Sequence, residues 1–77
     1  MRVGVFGGTF DPVHVGHLIL AEQARDHCRL DRVRFVLAHR PPQKEGQPIT
    51  RFDVRLEMLE LALAGNPAFV PDPIEQE

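Results

Sequence analysis

Short apolar runs alternate along this chain with segments of helical periodicity, and that alternation leaves few folds open. Arg2 to Phe6, RVGVF, is rich in β-branched and aromatic residues and reads as a strand that stops at Gly7 and Gly8. From about Val15 to Arg29 apolar residues return at three- and four-residue steps: Leu18, Ala21 and Cys28, joined by Ile19, Leu20 and Ala24, predict a helix with a broad apolar face. Val33 to Ala38 is a second strand, apolar enough to be covered on both faces. His39 to Pro48 carries three prolines and a glycine, so it is expected to be a loop. Thr50 then has the character of an N-cap, with Asp53 as its capping-box partner and Phe52, Leu56, Leu59 and Leu63 along one helical face. Gly65, Asn66 and Pro67 end that helix, and a third strand opens at Ala68. The order β-α-β-α-β predicts an α/β fold with a parallel sheet and right-handed crossovers.

Three strands are half of the usual doubly wound sheet, so residues 1–77 are expected to be the N-terminal part of one domain. At 77 residues the core is thin, and 43% hydrophobic with 26% charged residues excludes a disordered chain. The single cysteine, Cys28, rules out an internal disulfide and fits a reducing, cytoplasmic setting; no apolar run is long enough for a membrane span. Net charge is −2, and the arginines and Lys44 of the middle are interrupted by acids without interleaved stacking aromatics, which argues against nucleic acid.

In a parallel sheet ligands gather beyond the carboxyl ends of the strands, and the first strand-to-helix turn favours phosphate. Gly7 and Gly8 are expected to let the backbone turn sharply and approach a ligand. A helix opening near His14 or Val15 puts His14 and His17 on its first turn, facing one phosphate-sized space. Gly16 between them would leave room for a flat ring or sugar. Neutral imidazoles donate hydrogen bonds, which suits phosphoryl or nucleotidyl transfer, where aligning an oxygen and stabilising charge matter most. The chain has no serine, no G-x-G-x-x-G and no P-loop. Metal ligation is the rival chemistry, but no third ligand is identifiable beside the two histidines.

The run GGTFDPVHVGHL, Gly7 to Leu18, resembles the signature of adenylyltransferases and cytidylyltransferases, whose H-x-G-H motif follows the first strand of a Rossmann-like sheet. With FVLAHRPPQK and RLEMLELALAGNP, the pattern is most similar to the bacterial nicotinate-nucleotide adenylyltransferases. The resemblance implies transfer of the adenylyl group of magnesium-ATP to nicotinate mononucleotide, giving the dinucleotide precursor of NAD and pyrophosphate. It implies that His14 and His17 hold the ATP phosphates and stabilise the transition state, with Gly7, Gly8, Thr9, Phe10 and Gly16 beside ATP. Backbone groups of Gly8, Thr9 and Phe10 would line the mononucleotide phosphate site, and Lys44 would lie near the phosphates.

The sequence departs from that pattern at Gln43, where the family usually has histidine, and lacks the serine/threonine-rich run that grips ATP. A sibling transferase using nicotinamide mononucleotide or pantetheine phosphate is the alternative, as is a non-catalytic mononucleotide-binding module. Asp11 and Pro12 are expected to shape the loop, and His27 and His39 to be exposed. Arg55 is expected at the surface or in an ion pair, and Cys28 in the core. The edge of the last strand is expected to be open to pairing, which leaves room for a homo-oligomer.

Overall fold

The computed structural model describes residues 1–38 and 49–73. The loop expected from His39 to Pro48, with Lys44 and Gln43, lies outside them. Strand β1 (Val3–Gly8), helix α1 (Val15–Cys28), strand β2 (Arg32–Leu37), helix α2 (Phe52–Leu63) and strand β3 (Phe69–Asp72) follow in that order. The sheet is parallel with spatial order β1-β2-β3, registering Phe6 with Phe35, Gly8 with Leu37, and Val33 with Phe69.

Alternate residues of a strand face opposite sides. Val33, Phe35 and Leu37 of β2 are all buried, in one core with Ala21 of α1 and Phe52, Leu59 and Leu63 of α2. Both helices therefore cover the same face of the sheet. Coverage of β2 on both faces is not observed among the described residues: Arg34 and Val36 point to the other side and stay half-exposed. There Val5 is 65% exposed, and an ion pair between Arg34 and Asp72 ties β2 to β3. Among the described strands, β1 and β3 lie at the two edges of the sheet.

Helix α1 buries less than its periodicity suggests. Only Ala21 is fully buried, Leu18 is partly so, and Ile19, Leu20 and Cys28 are exposed. Cys28 is thus a surface thiol rather than a core residue. The helix stops where Arg29 turns left-handed at φ 53° and the Leu30 N–H reaches the Arg25 carbonyl at 2.9 Å.

Two local expectations are corrected at the ends of elements. Gly7 and Gly8 are not a turn: they are the last two residues of β1, paired with Val36 and Leu37. The sharp turn comes at Phe10, whose φ is 46°. Thr50 is not the N-cap of α2; Arg51 takes that position without a side-chain cap bond. Asp53 accepts from Arg51 and from the Val54 N–H instead of closing a capping box. The Thr50 N–H is drawn away by Asp11, whose carboxylate accepts it at 3.0 Å.

Candidate active site

The site grows from the end of β1. Past Gly8 the chain turns through left-handed Phe10 and the cis Asp11–Pro12 bond into His14, the N-cap of α1. The Phe10 ring swings back into the core, 3% exposed, with centroids 5.4 Å from Phe6, 5.7 Å from Phe35 and 5.1 Å from His17. A Cβ on Gly8 would sit 3.2 Å from the Phe10 ring, so the glycine makes room for that packing. Phe10 thus offers a ligand only its backbone.

His14 and His17 cap the helix reciprocally. The His14 Nδ1 accepts the Gly16 N–H at 3.0 Å, while the His14 N–H donates to the His17 Nδ1 at 2.9 Å. These bonds satisfy backbone donors that a helix start otherwise leaves without partners. They also dictate the tautomer. A ring nitrogen that accepts carries no proton, so each neutral imidazole holds its proton on Nε2 and keeps that N–H for another partner. The rings lie 3.9 Å apart between centroids, tilted by 36°. Gly16 is required here for a reason other than the one expected: a Cβ would come within 2.7 Å of the His14 Cε1. The place kept clear by Gly16 is filled by the His14 ring.

Burial against the aromatic core, and then the neighbouring His14, push the His17 pKa below the ordinary imidazole value. The neutral, capping form is therefore favoured in the folded state. Its contribution to stability is complete above the ordinary value of about 6.5 and is lost as pH falls through the lowered folded value. Long-range ¹H–¹⁵N NMR is expected to find the neutral form of each imidazole protonated on Nε2, with His17 titrating below about 6.5; a neutral ring protonated on Nδ1 in either residue would contradict this geometry.

Arg55, expected at the surface or in an ion pair, is instead 1% exposed. Its Nε donates to the Thr50 carbonyl at 2.7 Å, and Nη1 donates to the carbonyls of Thr9 at 3.0 Å and Ala38 at 2.7 Å. The guanidinium also lies 5.6 Å from the Phe52 ring centroid. A buried cation must be hydrogen-bonded, and these carbonyls come from the ends of β1 and β2 and the start of α2. The signal was present in the sequence: Arg55 lies three residues after Phe52 and four before Leu59, on the buried stripe of α2. Asp11, joined to Thr50, has its pKa lowered first by those Thr50 hydrogen bonds and then by nearby Arg55.

The structure thus brings Gly8, Thr9, Phe10, His14, Gly16 and His17 to one end of the sheet, with Gly7 on its open side. Cys28 closes the far end of the 14-residue helix, about 20 Å away at 1.5 Å per residue. Among the described residues, no group of three or more histidines, cysteines and carboxylates could hold a metal. None of the described helices is long and apolar enough to cross a membrane.

Residues 5–77 match the cytidylyltransferase-like family model. The chain belongs to the cytidylyltransferase-like family. Curated relatives point the same way. It is 57% identical over 68 residues to a protein of Thermomicrobium roseum, covering 88% of this chain and 32% of the relative. It is 47% identical over 76 residues to one of Geobacillus thermodenitrificans, covering 99% and 35%. It is 49% identical over 75 residues to one of Thermus thermophilus, covering 97% and 39%. Each is named a probable nicotinate-nucleotide adenylyltransferase. The chain spans about a third of the length of these relatives. The cytidylyltransferase-like match also accords with the parallel sheet and its β-α-β-α-β order.

Proposed function

We propose that this chain carries the phosphate-binding half of an adenylyltransferase joining ATP to nicotinate mononucleotide, with release of pyrophosphate. The observation that carries this reading is the reciprocal histidine cap. It leaves two Nε2–H donors on the first turn of α1, where the helix dipole also favours an anion. The names of the relatives support the acceptor, and the lone cysteine suits a cytoplasmic setting.

In this reading magnesium enters as part of the substrate, bound to ATP phosphate oxygens. The acceptor's phosphate oxygen forms a bond to the α-phosphorus, and the bond from that phosphorus to the pyrophosphate oxygen breaks. No protein nucleophile is required. His14 and His17 donate to phosphate oxygens as negative charge shifts onto the leaving pyrophosphate, and the backbone after Gly8 holds the acceptor's phosphate in line.

The test is chromatographic detection of dinucleotide from magnesium-ATP with nicotinate mononucleotide, nicotinamide mononucleotide or pantetheine phosphate. It is run on the 77 residues and on these residues completed with the C-terminal part of the Thermomicrobium roseum relative. Nicotinate adenine dinucleotide from the completed chain is the expected product. Preference for another acceptor would move the assignment to a sibling transferase. ATP binding without product would make the chain a binding module.

A further inference from the structure

The one buried charged side chain among the described residues is Arg55, which binds three carbonyls and lies beneath the loop that leads into His14. Holding the Thr9 carbonyl has a consequence on the other side of the same peptide. In a planar trans peptide the C=O and the following N–H point in opposite directions. With the Thr9 oxygen held on Arg55, the Phe10 N–H points the opposite way, away from the guanidinium. Among the described residues that N–H has no acceptor. Phe10 itself is left-handed, a conformation that a residue with a ring adopts only when its surroundings hold it. Those surroundings are the ring packing of Phe10 and the guanidinium under Thr9.

We infer that Arg55 is a positioning residue for the acceptor's phosphate: by anchoring the Thr9 carbonyl it presents the Phe10 N–H as an anion donor beside the histidine pair. This rests on the reaction proposed above. Arg55 does not touch the ligand; it acts through the peptide. Its bonds to Ala38 and Thr50 fix the guanidinium from β2 and α2, and the Asp11–Thr50 bond holds the far side of the same loop. A planar fork reaches several fixed acceptors at once; a lysine ammonium on a flexible stem does not.

The first variant is Arg55→Lys, and the first readout is the Phe10 amide in ¹H–¹⁵N spectra of the chain titrated with inorganic phosphate. The wild-type amide is expected to move on titration, and the variant's response to weaken about tenfold while the signals of β2 and α2 keep their places. In the completed chain, KM for nicotinate mononucleotide is expected to rise about tenfold while kcat changes less than about threefold, the pattern of lost ground-state binding. A purely structural arginine would not single out that amide or split KM from kcat.

Should Arg55→Lys fail to fold, a second variant decides. Chemical synthesis can replace the Thr9–Phe10 amide with an ester, removing the N–H and leaving Arg55 in place; its phosphate response at neighbouring Thr9 is expected to collapse. Unchanged phosphate binding in the ester, or an unmoved Phe10 amide in the wild type, overturns the inference. A wild type whose Phe10 amide responds, with that response lost in the variants but no adenylyl transfer by the completed chain, supports the inference and overturns the reaction.

Discussion

Replacing His17 with asparagine is expected to lower the adenylyl-transfer rate of the completed chain about 10²–10³-fold while leaving the fold intact. The two nitrogens of His17 do different work. Nδ1 accepts the His14 N–H, and Nε2 is free to donate. An asparagine amide oxygen can stand where Nδ1 stands, so the helix start keeps its bond, but the shorter side chain has nothing at the Nε2 position. Removing one donor to developing charge costs about 3–4 kcal/mol of transition-state stabilisation, whereas the retained cap limits the stability loss to about 1 kcal/mol. Glutamine can do part of both jobs: its amide N–H reaches toward the Nε2 position, and its oxygen can accept the His14 N–H as glutamine does at the third position of a capping box. Its rate is expected to lie between those of His17→Asn and wild type. Single-turnover kinetics and thermal unfolding on the same preparations check both halves; a folded His17→Asn enzyme with wild-type turnover would remove His17 from the chemistry.

Gly16→Ala is the second large effect, and it separates rate from stability differently. A methyl group would lie 2.7 Å from the His14 Cε1 and 3.0 Å from its Nδ1, so the ring must swing aside. Losing the His14 cap costs about 0.5–2 kcal/mol, and alanine in a helix returns up to about 1 kcal/mol relative to glycine. The two nearly cancel. The rate is expected to fall about 10²-fold, because a displacement of about 1 Å at a reacting phosphate is enough for that. Gly65→Ala, where an added Cβ meets nothing within 4 Å, is the control and is expected to leave the rate unchanged. Wild-type turnover in Gly16→Ala would mean that the His14 placement is immaterial.

What could be read from the sequence was what depends on neighbours in sequence. The order of strands and helices followed from periodicity, and His14 with His17 followed from their spacing and the glycines before them. Most of the errors come from contacts distant in sequence. Thr50 has N-cap chemistry, yet both its hydroxyl and its N–H are drawn to Asp11, 39 residues earlier. Arg55 was expected at the surface or in an ion pair, as an arginine on a capped helix usually is, while three carbonyls, one of them 46 residues away, hold it inside. Gly7 and Gly8 were expected to turn because glycine can. Glycine permits a left-handed backbone without requiring one, and the strand took them instead. The residue that does turn, Phe10, has a side chain that argues against it, and only the aromatic core explains why it complies.

The reciprocal histidine cap also bears on how tightly a phosphate can be held. Fixing a free side chain at the moment of binding costs about 0.5–1.5 kcal/mol in lost freedom. Here each imidazole is already immobilised by a backbone bond, and His17 is further confined by the rings of Phe6 and Phe10. For two rings that entropy, about 1–3 kcal/mol, is surrendered when the helix forms and does not burden the ligand. The corresponding gain is about five- to 150-fold in affinity, obtained without a single additional contact.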